Sequence, residues 1–263
     1  MKVSCLYCVY LCLAFCEGLT IQSSVVLRKK GNTTSDNSLE NKDLNETSIL
    51  TSCPRQFGKE GIFNISLPGL EPFPVVCDAK IAGAGWTVIA SRSNVNLNFF
   101  RNWTDYKKGF GDISGDFFIG LDKLHSITKS QTHELYIHLE DFDGVTRFAQ
   151  YDDFYIENEN VSYQMTKLGT FTGDAGDSLT HHKGQKFSTY DRDNDSHSSK
   201  NCALERLGGW WYNDCAYSNL FGNYYTGQYD GSMAEKGIYW HYFRGMSYSY
   251  KTMKMMVRPK CGC

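Results

Sequence analysis

Asp191, Asp193 and Asp195 occupy alternate positions at the start of the stretch DRDNDSHSSKNCALERLGGWWYNDC, residues 191–215. On an extended backbone all three carboxylates would point to one side. Crowded carboxylates repel one another unless a cation sits among them, and an all-oxygen set suits a hard ion, Ca²⁺ before Mg²⁺. The first half of the stretch follows the calcium loop of an EF-hand, but Ser196 replaces the turn glycine and Cys202 falls where the closing glutamate belongs. An EF-hand is therefore not expected. An acidic, solvated surface loop is the other reading of the same aspartates. Against it, Cys202 and Cys215 bracket Gly208, Gly209, Trp210 and Trp211, and paired tryptophans are out of place in a segment that faces only water.

His181 and His182, with Asp174 and Asp177 nearby, have the residue types of a metal-hydrolase or acid–base site. Their spacing argues otherwise: H-E-x-x-H, G-x-S-x-G and a strand followed by a glycine-rich phosphate loop are all absent. No carboxylate pair is marked as catalytic by its surroundings. No enzyme is expected, and adjacent histidines in a polar loop are expected to be solvated. The 27 basic and 29 acidic side chains nearly balance, leaving no electrostatic footprint for nucleic acid or an anionic membrane.

The elements that must position such a site follow from patterning. Residues 1–17 carry one lysine and then the apolar run VSCLYCVYLCLAF; about 14 apolar residues are too few to span a bilayer, so this reads as a secretory signal peptide, with a signal anchor as the minor alternative. No other apolar run approaches spanning length, and the mature chain is expected to be secreted and not membrane-spanning. Of the ten cysteines, Cys5, Cys8, Cys12 and Cys16 leave with the signal and six remain. An even number in an oxidising compartment implies disulfides. Residues 18–52 are polar and read as a flexible spacer, with neither a Gly-X-Y period nor heptads.

Gly85–Ser91 and Glu134–Leu139 alternate as strands, Asp143–Gly144 marks a tight turn, Val145–Tyr151 returns as the second arm of a hairpin, and Tyr163–Leu168 is a further candidate strand. Phe118, Leu121, Leu124 and His125 recur near helical spacing, and His125 is expected to be a packed or turn residue rather than a ligand. The 17 tyrosines supply rigid amphipathic area suited to a recognition surface, although for any one of them a place in the core is the stronger expectation. Sequons at Asn32, Asn45, Asn64, Asn102 and Asn160 suit a secreted glycoprotein. A sixth, at Asn194 between two of the aspartates, is expected to be unused.

Several motifs together, CPRQFGKEGIFNISLPGLEPFPVVCD, FSTYDRDNDSHSSKNCA, GGWWYNDCAYSNLFGNYY and GIYWHYFRGMSYSYKTMKMMVRP, resemble the fibrinogen-related domain of ficolins, tachylectins, angiopoietins and fibrinogen chains. The resemblance runs from Cys53 to Pro259 and implies an α+β fold over residues 53–260, followed by a cysteine tail, 261–263. In that fold a small N-terminal disulfide-tied subdomain leads to a central antiparallel sheet and a loop-rich subdomain that binds calcium and ligand. Trp103–Gly111 and Gly115–His125 match the family's paired short helices. The resemblance pairs Cys53 with Cys77 and Cys202 with Cys215. It leaves Cys261 and Cys263 free to bridge to another chain, giving a disulfide-linked homo-oligomer, or to close locally.

By the same resemblance, calcium is held by the carboxylates of Asp193 and Asp195 and the backbone carbonyls of His197 and Ser199. The ligand pocket maps onto Arg206, Cys215, Ala216, Trp240, Met246 and Tyr248. There Ala216 stands where lectins of the family carry histidine, Arg206 where a wall tyrosine is usual, and Met246 where another is usual. Arg206 is expected to favour acidic ligands. The leading expectation is a lectin-like recognition protein of innate immunity that binds glycans or acetylated groups. The alternative is a secreted protein ligand that engages a cell-surface receptor through the same face, as angiopoietin-like proteins do.

Overall fold

A computed structural model describes residues 49–260. The signal segment, most of the spacer, Asn32, Asn45, Cys261 and Cys263 lie outside the described residues. Leu50 and Ser52, at the end of the expected spacer, already belong to the domain: the Leu50 carbonyl accepts from Ser66 N at 2.8 Å and Ser52 is buried.

The N-terminal hairpin pairs β1 (Gly61–Ile65) with β2 (Phe73–Asp78), and the Cys53–Cys77 disulfide ties the entering chain to β2. Next comes β3 (Trp86–Arg92), whose seven residues are all buried. Alternation predicts one wet face, but both faces are covered. The hairpin of β6 (His133–Glu140) and β7 (Thr146–Tyr155) forms where the alternating runs and the Asp–Gly turn place it. The last strand, β14 (Thr252–Pro259), inserts between β3 and β6, so the main antiparallel sheet runs β1-β2-β3-β14-β6-β7 and ends on β8 (Lys167–Leu168). Opposite Met255 and Met256 the register with β3 slips by one, leaving Ile89 as the extra residue of a bulge in β3, while β14 keeps regular register with β6.

Two expectations need correction. First, the segment Gly115–His125 is not one helix. The short strands β4 (Phe110–Gly111) and β5 (Phe117–Phe118) pair on the edge of β3, and helix α2 (Leu121–Ser130) begins only after Gly120, following the short α1 (Trp103–Lys108). Gly120 adopts φ +101°, and a Cβ there would stand 2.6 Å from the Lys108 backbone. Chain crossing at that distance requires glycine. Second, most of Tyr163–Leu168 is not strand, since Ser162 and Tyr163 both turn through left-handed φ after a 3-10 turn at Glu159–Val161, leaving only β8.

The remaining residues form the loop-rich half, with α3 (Cys202–Arg206) and short pairs: β9 (Phe171–Gly173) on β7, β10 (Ser218–Asn219) on β12 (Tyr239–Trp240), and β11 (Gly227–Gln228) on β13 (Tyr248–Ser249). Its core is aromatic: Trp210, Trp211, Tyr212, Tyr239, Trp240 and Tyr250 are wholly buried.

Candidate functional site

The acidic loop is not extended. Thr189 and Arg192 close a tight turn by reciprocal backbone bonds of 3.0 and 3.1 Å. That turn removes Asp191 from the cluster, and its Oδ1 accepts from Trp103 N at the start of α1 (2.9 Å) and from Thr189 Oγ1 (2.7 Å). Asp193 and Asp195 stay together. Asp193 Oδ1 accepts from Asp195 N (3.2 Å), and the Asp195 carboxylate accepts from His197 N (2.9 Å) and Cys202 N (2.8 Å). Burial raises the Asp195 carboxyl to about 6 against the pull of those two amides, and the neighbouring Asp193 charge adds to the rise.

Among the described residues neither carboxylate has a lysine or arginine partner, and the carbonyls of His197 and Ser199 accept no hydrogen bond. This donor set is all oxygen and short of positive charge, so it fits a hard cation. The His197 ring lies back on its own loop, with Nδ1 accepting from Ser199 N and Lys200 N at 3.2 Å and Nε2 3.5 Å from Asp214. Among the described residues no three His, Cys, Asp or Glu side chains gather as a metal cluster. The loop is anchored by the Cys202–Cys215 disulfide and by Asn201, which caps α3 through Leu204 N (3.0 Å) and reaches back to the Thr189 carbonyl (3.1 Å). Between the aspartates, Asn194 spends its amide N–H on the Phe187 carbonyl at 2.8 Å.

Of the residues mapped as a ligand pocket, Ala216, Trp240 and Tyr248 are buried and Arg206 is already paired. Arg206 forms a close ion pair with Glu235, and Glu235 N in turn donates to the Met246 carbonyl at 2.9 Å. The guanidinium expected to face an acidic ligand is thus already neutralised within the chain. Ala216 is only 8% exposed and its carbonyl accepts from Tyr239 Oη. Trp240 is fully buried, its indole N–H on the Gly176 carbonyl at 2.8 Å, so it offers a ligand no face. Tyr248 is 7% exposed, and its hydroxyl accepts from Phe142 N at 2.9 Å. Clefts of about 210, 250 and 320 Å³ are lined by other residues.

His182 also departs from expectation: it is buried, not solvated. Its Nδ1–H donates to the Trp211 carbonyl (2.7 Å), while Nε2 accepts from Tyr217 N (3.1 Å) and Ser218 N (3.2 Å). Burial lowers its pKa to about 3, so it is a neutral connector. His125, half-buried, hydrogen-bonds the Ile156 carbonyl through Nδ1 (2.9 Å).

Two exposed tyrosines belong to an aromatic column shared with the half-buried His181 and His241. His181 stacks on one face of Tyr217 (4.3 Å between centroids, 11° between planes) and His241 covers the other (5.1 Å, 30°). Tyr242 stands edge-on to His241 at 4.9 Å. Tyr217 is 39% and Tyr242 60% exposed. The rings come from three separated segments, and beyond a high tyrosine content no signal in the sequence joins them.

The family described as fibrinogen beta and gamma chains, C-terminal globular domain, matches residues 55–260. Angiopoietin-related protein 6 of Mus musculus is 45% identical over 200 residues, covering 76% of this chain and 43% of that protein. Fibroleukin of Homo sapiens is 42% identical over 206 residues, 73% of this chain and 46% of its own length. The chain thus spans less than half the length of these curated relatives. Among solved structures, the fibrinogen-like globe domain of human ANGPTL2 aligns with a TM-score of 0.74 at 41% identity, covering 78% of this chain and 94% of that one. Lamprey fibrin D-dimer, complexed with the peptide ligand Gly-His-Arg-Pro-amide, aligns with a TM-score of 0.72 at 32% identity, covering 78% of this chain and 70% of that one.

Proposed function

Because the chain belongs to the fibrinogen beta and gamma C-terminal globular domain family, we propose that it is a secreted, non-catalytic recognition protein whose globe docks a protein partner, in the manner of an angiopoietin-like ligand. One contrast carries this reading. Where a small acetylated sugar would sit, Arg206 and Glu235 neutralise each other and Ala216 and Trp240 are buried, whereas Tyr217 and Tyr242 stand exposed nearby in sequence to that set. A small ligand needs a concave site with a few free polar groups. A protein partner needs rigid aromatic area, with tyrosine among the residues that most often carry binding energy. The similarity to angiopoietin-related proteins supports the same choice. Calcium, held by the carboxylates of Asp193 and Asp195 and the carbonyls of His197 and Ser199, would supply charge neutralisation that stiffens the loop.

Glycan recognition is the second reading, favoured by the all-oxygen calcium set and by the resemblance to ficolins. The two separate experimentally. Labelled protein should bind cells at a site destroyed by mild proteolysis of the cell surface, with N-acetylglucosamine as competitor having no effect. Calcium-dependent binding on a glycan array, inhibited by N-acetylglucosamine, would reverse the ranking.

A further inference from the structure

The aromatic column ends in the turn Trp240–Gly245, and the conformation of that turn is unusual. Arg244 adopts φ +66° and Gly245 φ +74°. Glycine takes this region freely, but a left-handed arginine is strained and needs something to hold it. The holding group is in the β6–β7 hairpin, 103 residues earlier in the chain. Asp141 there is completely buried. Its Oδ1 accepts from Asp143 N (2.9 Å) and Val145 N (2.8 Å), which shapes the hairpin turn. Its Oδ2 accepts from Arg244 Nε (2.8 Å) and Nη2 (2.5 Å), and Nη2 also reaches Asp143 at 2.7 Å. The same guanidinium lies over the Tyr248 ring at 5.4 Å, and the Tyr248 hydroxyl accepts from Phe142 N in the hairpin turn.

The other side of the Trp240–Gly245 turn is tied to the aromatic column: His241 N donates to the Tyr217 carbonyl (2.9 Å) and Tyr242 N to Ser178 Oγ (3.1 Å). One short segment therefore carries the half-buried His241 and the exposed Tyr242 at one end and an arginine locked onto the β6–β7 hairpin turn at the other. We propose that Asp141 and Arg244 are positioning residues for partner docking, with the hairpin turn serving as the abutment that sets the direction of His241 and Tyr242. The proposal rests on the docking reading given above. Neither residue need touch the partner.

The clamp is chemically suited to permanence. Burial works against the Asp141 charge, but the Arg244 guanidinium and the turn amides outweigh it and hold the carboxyl below its ordinary range. A fork-shaped guanidinium with two N–H groups on one oxygen also fixes direction, which a lysine ammonium does less well.

The test uses Arg244→Gln, Arg244→Lys and the isosteric Asp141→Asn, with Tyr217→Ala and Tyr242→Ala as variants of the face itself. In the protein alone, amide hydrogen exchange at 240–245 should rise about tenfold in Arg244→Gln relative to exchange in the main sheet. Binding of labelled protein to the protease-sensitive cell-surface site, measured well below the Tm of each variant, should weaken about tenfold in Arg244→Gln, with partial recovery in Arg244→Lys. Wild-type exchange at 240–245 in both Arg244→Gln and Asp141→Asn would overturn the clamp. Full binding by Arg244→Gln, alongside loss in Tyr217→Ala and Tyr242→Ala, would overturn the positioning role while sparing the docking reading. Full binding by both tyrosine variants would instead overturn the docking reading and the proposal with it.

Discussion

The sheet half and the loop-rich half of this domain solve the same problem with different groups. In β3, β6, β7 and β14 the backbone is paired strand to strand, and Val88, Ile89, Leu135, Ile137 and Leu139 need only fill space between the layers. In the loop-rich half the paired segments are two or three residues long, so side chains must answer the buried backbone. His182 satisfies three backbone groups, the Trp211 indole donates to the Tyr163 carbonyl (2.8 Å), and the Tyr106 hydroxyl accepts from Gly209 N (3.1 Å) while donating to the Phe99 carbonyl (2.7 Å). The buried Arg92 guanidinium donates to the carbonyls of Leu220 and Gly222 and stacks 4.2 Å above Phe99. A buried polar residue in this half is thus a structural member first. Its residue type alone is weak evidence for a ligand.

If that contrast is correct, polar substitutions in the loop half should cost at least as much as apolar truncations in the sheet. His182→Phe would leave the Tyr217 and Ser218 amides and the Trp211 carbonyl unanswered, and should lose roughly 3–9 kcal/mol at 1–3 per orphaned group. Ile137→Ala, in the middle of β6, should lose about 2–4 kcal/mol. Urea denaturation ranks them, and a His182→Phe within 1 kcal/mol of wild type on the order of ordinary surface changes would dissolve the contrast.

Acid should act on both halves. Burial lowers His182 to about 3 in the loop half and His133 to about 4 in the sheet. Unfolding releases each to an ordinary value near 6.5, so the unfolded chain binds more protons between those limits. Stability is then fully present above about pH 6.5 and falls with pH toward 4, at up to ~1.4 kcal/mol per pH unit for each histidine. Thermal melts from pH 7 to 4 should show that fall, and His182→Phe should remove the His182 share of it and leave that of His133. A flat wild-type profile contradicts the burial argument.

Calcium should act on one half only. At a hundredfold excess over Kd, binding to the native state adds about 2.7 kcal/mol, and the gain in exchange protection should centre on residues 187–215. Asp195→Asn should abolish it, and an unchanged Tm after chelation of the wild type would count against the site. The smallest effect is expected at the sheet's outer margin, where the exposed Lys80 pairs with Glu60. Lys80→Ala should leave Tm unmoved within error, since exposed ion pairs are screened and entropically costly. A clear drop would show the β1–β2 edge to be more tightly coupled than its exposure suggests.

Legibility in the sequence follows the same division. The β6–β7 hairpin, β3 and the Asp143–Gly144 turn were readable because alternation and turn chemistry are properties of neighbouring residues. The start of α2 was not, because Phe118 and Leu121 have helical spacing and only the approach of Lys108 to Gly120 separates strand from helix. The two disulfides followed from the family resemblance, and the geometry agrees.

By itself the sequence determined the fibrinogen-related α+β domain, its sheet-forming runs, and the pairing of Asp193 with Asp195, which are two residues apart on any path the chain takes. Only the tertiary structure decided that Asp191 turns away to α1, that His182 is buried, that Glu235 neutralises Arg206, and that His181, Tyr217 and His241 form one column. Each of these depends on which distant segments meet in space. In a loop-rich region that meeting follows from the whole aromatic core and its polar ties, and no local period in the chain encodes it.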